Sequence, residues 1–338
     1  MADASTDAAV LSVRDLRTTV RLGGHDVAGV NGVSFDLRRG RTLGLVGESG
    51  CGKSMTALSI LRLLPEPVVR VTSGQVLFGD RDLVRASESD LCALRGRHVA
   101  MIFQEPSSAL NPVLTIGAQV SEPLRIHLGL PKAEAQARAV ELLKKVGIPA
   151  PEERVHAYPH QLSGGMKQRA MIAMALACGP SVLIADEPTT ALDVTVQAQI
   201  LDLLKRLGRE EGMAILLITQ DLGVVAETCD DVAVMYAGRI VEQGPTQTLL
   251  SRPAHPYTVG LLRAVPRIDD DRTSGRLYEI PGVVPPLNQM PDGCAFADRC
   301  TRVQATCRAA VPPLSSVVPE SSEHRARCLY PYLEGETR

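Results

Sequence analysis

Four short stretches of the chain are almost continuously apolar: Thr42 to Val46, Val99 to Phe103, Val182 to Ala185 and Ala214 to Ile218. Runs this brief, without polar alternation, suit parallel strands covered on both faces. Segments 10 to 22, 27 to 37 and 74 to 78 instead alternate valine and leucine with polar residues and end in turn glycines, which predicts an antiparallel sheet. The period changes again over residues 115 to 155. There Ala139, Leu142, Leu143 and Val146 recur at helical spacing while Glu134, Arg138, Glu141, Lys144 and Lys145 fill the opposite face, predicting an inserted helical subdomain. A helix over 194 to 207 carries a stripe of Val196, Ile200, Leu203, Leu204 and Leu207, with Gly208 or Gly212 to stop it. Strands and helices alternate, so the class is α/β. After about residue 245 the density of proline rises, from Pro245 and Pro253 through Pro285, Pro286 and Pro291, marking a separate loop-rich C-terminal region.

At 338 residues and 45% hydrophobic composition the chain can build one large or two modest cores. Its 36 basic and 38 acidic residues leave a formal net charge of −2, which gives no single-signed field for nucleic acid. No stretch approaches the roughly 18 to 20 apolar residues of a spanning helix, and the opening Met-Ala-Asp-Ala-Ser-Thr-Asp lacks an export signal; the expected location is cytosolic. In that reducing setting the eight cysteines point to metal binding or plain packing rather than disulfides.

Directly after the first apolar run stands Gly47-Glu48-Ser49-Gly50-Cys51-Gly52-Lys53-Ser54, followed by the helix-like Met55 to Leu64. A strand feeding a glycine-rich turn into a helix aims backbone N–H groups and a lysine at a polyphosphate. Lys53 is expected to bridge the β- and γ-phosphates, and Ser54 to place its hydroxyl on Mg²⁺. Further on, Asp186 and Glu187 close an apolar strand; next to a phosphate loop, the first suits the Mg²⁺ shell and the second a proton acceptor for an attacking water.

Leu162-Ser163-Gly164-Gly165-Met166-Lys167-Gln168-Arg169 precedes a helix of small residues, and with the phosphate loop and Asp186-Glu187 it resembles the ATP-binding-cassette ATPases. Asp193, in Ala191-Leu192-Asp193, matches that family's D-loop, and Gln104 after Phe103 its Q-loop, which adds Gln104 to the Mg²⁺ and ATP contacts. The resemblance implies an ABC ATPase fold: a mixed parallel sheet, an antiparallel β subdomain and an inserted helical subdomain. It also implies that Ser163, Gly164, Gly165 and Gln168 act in trans on ATP held by a second cassette. Three further segments, Gln104 to Pro112, Tyr158 to Leu162 and Arg252 to Thr258, resemble the dipeptide and oligopeptide importer ATPases. That branch implies a nucleotide-binding domain at 8–245 with its helical subdomain at about 105–165, and a C-terminal extension at 246–338. The implied partners are a second ATPase subunit, a paralogue, two transmembrane permease subunits and an extracellular substrate-binding protein, with the chain on the cytoplasmic face of the membrane.

Two positions depart from the family pattern. Gln220, in Ile218-Thr219-Gln220-Asp221, stands where relatives carry a histidine, and a carboxamide offers hydrogen bonds but no usable base or cation. The expectation is ATP binding with slow hydrolysis. Tyr, Phe and Trp are absent from residues 1 to 34, so stacking of adenine near Val20 is not supported.

Cys294, Cys300, Cys307 and Cys328 are separated by 5, 6 and 20 residues in the proline-rich tail. Four such thiolates suit a tetrahedral metal or an iron–sulfur cluster, and packed free thiols are the third reading. The segment Gly293 to Cys300 resembles the importer extension, for which a [4Fe–4S] site is implied in some members, so the cluster is favoured over Zn²⁺. Cys92, Cys178 and Cys229 are expected to be buried small hydrophobes. The leading function is an ATPase powering import of di- or oligopeptides. The alternatives are an importer of nickel, opine or glutathione, a hydrolysis-impaired regulatory clamp, and a cassette that clamps DNA or the ribosome, although no coiled coil or basic stripe favours the last.

Overall fold

The computed structural model describes residues 8–190, 192–265, 278–318 and 321–333. Its strands are β1 (Ala9–Leu22), β2 (His25–Arg38), β3 (Thr42–Val46), β4 (Val69–Phe78), β5 (Arg81–Asp82), β6 (Val99–Ile102), β7 (Val182–Asp186), β8 (Ala214–Thr219), β9 (Asp231–Tyr236), β10 (Arg239–Pro245), β11 (Ser315–Val318) and β12 (Ser321–Ala326). The helices are α1 (Lys53–Ile60), α2 (Glu88–Leu94), α3 (Pro106–Ala109), α4 (Ile116–Leu128), α5 (Lys132–Lys145), α6 (Pro151–Arg154), α7 (Gly164–Leu176), α8 (Val194–Glu210), α9 (Leu222–Thr228), α10 (Thr246–Ser251) and α11 (Pro256–Ala264). They divide between two compact units, one formed by Met1–Leu11, Asp36–Thr42 and Phe78–Ile218, the other by Ser12–Phe35, Leu43–Leu77 and Thr219–Arg338.

In the first unit β6, β7 and β8 pair in parallel, with Val99 opposite Val182 and Asp186 opposite Ile218. Every residue of β7 is buried, which accounts for the absence of polar alternation in its sequence. The apolar stripe of α8 is buried at Ile200, Leu203, Leu204 and Leu207, each such side chain contributing roughly 1.5–3 kcal/mol. Of its two expected stops, Gly212 is the one used, at φ 62°. Gly208 lies within the helix, where a Cβ would come within 2.7 Å of the Ile215 side chain. The 115 to 155 pattern resolves into α4, α5 and α6, with Ala139, Leu142, Leu143 and Val146 buried and the charged face exposed. Thr115 caps α4 by accepting from the Ala118 N–H.

In the second unit β1 and β2 are joined across Gly23 and Gly24, at φ 57° and 86°. Two successive left-handed residues make the tight turn a right-twisted hairpin requires. β4 lies beside β1. A second sheet pairs β3 with β9 in parallel, then β9, β10, β12 and β11 in antiparallel order. β9 and β10 are additions to the sequence reading; Val232 to Tyr236 are wholly buried.

Candidate functional site

The phosphate loop runs from the buried end of β3 into α1. Gly47 holds φ 154°, and a Cβ there would lie 2.2 Å from the Met235 carbonyl oxygen. Gly52, at φ 106°, would meet the Gly29 carbonyl oxygen at 2.8 Å. Both positions therefore require glycine for room as well as for backbone conformation. Among the described residues no side chain caps the N-terminus of α1, which leaves its first turn to present backbone donors and the positive end of the helix dipole. Lys53 is 5% exposed, and its Nζ donates to the carbonyls of Gly47 (2.7 Å) and Glu48 (3.1 Å). Cys51 is buried behind the loop, and burial pushes its thiol pKa up. Ser49 and Gly50 face solvent.

Asp186, Glu187 and Gln104 belong to the other unit. Asp186 ends β7 and is 5% exposed. Glu187 leaves the strand at φ 45°, a left-handed conformation uncommon for a residue with a Cβ, and its N–H donates to the Ile218 carbonyl at 2.9 Å. Its carboxylate accepts from Gln104 Nε2 at 2.7 Å and from Thr190 Oγ1 at 3.0 Å. Gln104 thus meets Glu187 as a pair. Thr190 was missed by sequence reasoning; its only local signal is the turn after Glu187, closed by the Thr190 N–H to the Glu187 carbonyl at 3.2 Å.

Ser163 caps α7 by accepting from the Met166 N–H, and Gly164 follows it. At Gly165 a Cβ would reach Val196 Cγ1 at 2.8 Å, so glycine lets the two chain segments approach. Gln168 is 2% exposed, with an Nε2 that has no partner among the described residues. Asp193 caps α8 by accepting from the Val196 N–H at 2.9 Å, while Ala191 lies outside the described residues. Gln220 is exposed between β8 and Asp221, whose carboxylate caps α9.

The profile of the ABC transporter family matches residues 30–190, and that of the oligopeptide/dipeptide transporter C-terminal region matches residues 241–307. The oligopeptide transport ATP-binding protein AppD of Bacillus subtilis is 47% identical over 326 residues, covering 96% of this chain and 98% of its own. The dipeptide transport ATP-binding protein DppD of Bacillus subtilis is 48% identical, covering 94% of each chain. This chain belongs to the ABC transporter family. Its fold agrees: the dimeric post-hydrolysis structure of the cassette MJ0796, bound to ADP and Pi, matches with a TM-score of 0.63 and 27% identity, over 70% of this chain and 98% of that one.

In this ABC transporter chain the motif Arg252 to Thr258 turns out to build a joint. Glu242 of β10 is 0% exposed and accepts from the N–H groups of Ala254 (2.7 Å) and His255 (2.8 Å) and from His324 Nε2 (2.7 Å). His255 in turn caps α11 through Nδ1, accepting from the Tyr257 N–H, and burial lowers its pKa to about 4. Tyr257, packed on Tyr236 and Phe296, accepts the Glu48 N–H at 2.9 Å.

Cys294, Cys300, Cys307 and Cys328 all line one cavity of about 10 Å³, together with His255 and Phe296. The expected metal set is not assembled there, because among the described residues no three His, Cys, Asp or Glu side chains gather closely enough to hold an ion. Burial also raises the thiol pKa values of Cys294 and Cys300, and that of Cys328 to about 12, which favours protonated sulfur. Of the remaining cysteines, Cys229 is buried as expected, whereas Cys178 is half-buried and Cys92 lies on the exposed face of α2. Among the described residues no helix is long and apolar enough to cross a membrane.

Proposed function

We propose that this chain binds and hydrolyses Mg-ATP and thereby powers the import of di- and oligopeptides through a membrane permease. The observation that carries the reading is the match to DppD along 94% of both chains, through the C-terminal region as well as the cassette. Gly47 to Ser54 and Gln104 take the nucleotide, Ser54, Gln104 and Asp186 the Mg²⁺, and Glu187 the proton of the attacking water. The hydrogen bonds that its carboxylate accepts from Gln104 and Thr190 support that role. Ser163, Gly164, Gly165 and Gln168 act on the nucleotide of a second ATPase subunit, with Asp193 beside them. The cassette occupies 8–245, with its helical subdomain at about 105–165 docking on one of two permease subunits, and the extension occupies 246–338. This places the chain at the cytoplasmic membrane face, with a substrate-binding protein on the other side.

The test is ATP turnover of the complete transporter in lipid, measured with and without peptide. Stimulation by di- or oligopeptides is the expected result. Stimulation by nickel, an opine or glutathione instead would transfer the assignment to that solute. Gln220 favours a second reading, a nucleotide clamp with slow turnover: its carboxamide is exposed and carries no usable base. Gln220→His should then raise turnover, by roughly tenfold or more; an unchanged rate refutes the impairment. For the four-cysteine cavity, a [4Fe–4S] cluster or Zn²⁺ rests on donor chemistry alone and would require the sulfurs to close in. Metal analysis of anaerobically purified protein decides it.

A further inference from the structure

The phosphate loop carries an acid. Glu48 sits directly after Gly47, in a segment whose task under the reading above is to receive a polyanion. An unneutralised carboxylate there would repel the ligand and compete for Lys53. The partner that answers it comes from 251 residues further along the chain: Arg299 donates from Nη1 to Glu48 Oε2 at 2.7 Å and from Nη2 to Oε1 at 2.9 Å. This two-pronged geometry is the strongest an arginine makes with a carboxylate.

The guanidinium is itself held on several sides. Its Nε donates to the Pro281 carbonyl at 2.9 Å, and Nη2 donates to the Ile280 carbonyl at 3.3 Å. Nη1 donates to Tyr236 Oη at 3.3 Å, and the group lies over the Tyr236 ring at 5.7 Å and the Phe296 ring at 5.8 Å. Gly282, at φ 77°, leaves the passage open, since a Cβ would press on Arg299 Cγ at 3.3 Å. The Arg299 side chain is 6% exposed against 28% for Glu48, so the cation is the fixed member and the acid is drawn toward it. The Tyr257 hydroxyl fixes the same residue's N–H. Arg299 lies in the short turn Ala297–Arg299, next to Cys300, so the cysteine-bearing extension and the loop share one ion pair.

We propose that Arg299 is a positioning residue of the nucleotide site, which neutralises Glu48 and ties its carboxylate back so that the phosphate loop can accept a triphosphate. The C-terminal extension thereby sets the affinity of the cassette for nucleotide. The proposal rests on the loop being the nucleotide site.

The experiment titrates a fluorescent ATP analogue, with Mg²⁺, into the full-length chain and four variants, with thermal unfolding recorded in parallel. Arg299→Ala should weaken binding on the order of tenfold. Arg299→Gln, which keeps a donor amide and a side chain that packs, should weaken it in the same direction. The decisive variant is Arg299→Ala combined with Glu48→Gln. With no bare charge left in the loop, affinity should return to within roughly threefold of the unmodified chain, even though the pair cannot re-form and thermal stability stays low. The defect of Arg299→Ala should also shrink between roughly 0.05 and 0.5 M salt, as screening weakens the repulsion. Unchanged affinity in both single variants, or a double variant that binds as poorly as Arg299→Ala, overturns the proposal. Lys53→Ala separates the two readings: if the unmodified chain takes up no nucleotide that depends on Lys53, the loop assignment fails, whereas Lys53-dependent binding that ignores Arg299 sinks only this inference.

Discussion

Replacing Glu242 by alanine tests the joint between β10 and the C-terminal extension. The carboxylate is 0% exposed and accepts three hydrogen bonds, from the Ala254 and His255 N–H groups and from His324. Charge-assisted bonds of this kind contribute about 1.5–3 kcal/mol each, but they share one acceptor and do not add. Removing the carboxylate strands two buried backbone N–H groups and the His324 ring, at about 1–3 kcal/mol for each unsatisfied group, and about 4 kcal/mol is the expected loss here. Glu242→Gln keeps the shape and one acceptor while turning an NH₂ toward a backbone donor, so about half that loss is expected. The chain has no tryptophan and six tyrosines, and Tyr236 and Tyr257 lie against each other in the same unit. Urea unfolding followed by tyrosine fluorescence therefore reads this region directly. An alanine variant within about 1 kcal/mol of the unmodified chain, or a glutamine variant as damaged as alanine, would refute the reasoning.

Gly47→Ala forces a Cβ to 2.2 Å from the Met235 carbonyl and holds a non-glycine residue at φ 154°. If the loop relieves that strain by leaving its phosphate-accepting conformation, about 2–3 kcal/mol converts to a roughly 30- to 150-fold loss of nucleotide affinity, and a titration showing undiminished binding would remove the close-approach argument. Burial lowers the folded pKa of His255 to about 4 from the 6.5 of the free side chain, with Glu242 opposing the drop and Arg327 adding to it. The unfolded chain therefore binds the extra proton below pH 6.5, so stability present above that pH drains as pH falls toward 4, by about 2 kcal/mol at pH 5. His255→Asn retains a cap but does not titrate, and its unfolding free energy should lack this increment; identical pH profiles would contradict the assignment.

What could be read from sequence was local. The glycine-rich loop, the apolar runs of β3, β7 and β8 and the helical period around Leu142 each state their structure within a dozen residues, because strand burial and helix faces impose short periods. Long-range contacts leave no such trace. Nothing near Glu48 announces Arg299, and nothing near Glu242 announces His324. The β9 strand adds Val232 to Tyr236 to the sequence reading; an unpunctuated apolar run of that length suits a buried strand and a helix alike. Residue type alone predicts an interior Cys92, but α2 buries Leu91 and Leu94 and turns Cys92 to solvent. The cysteine spacings identified the residues that line one cavity but carried no information on how far apart their sulfurs stand.

The turn of the backbone at Glu187 divides labour between two chemically alike neighbours. Asp186 keeps the register of the strand and remains sheltered at 5% exposure, while one peptide later the chain swings out and delivers Glu187 to Gln104 and Thr190. Exchanging the order of the two acids would leave composition and charge unaltered, yet put the longer side chain in the sheltered place and the shorter one out of reach of both partners. Identity at these two positions is thus dictated by reach, and even a change that conserves charge has no neutral form there.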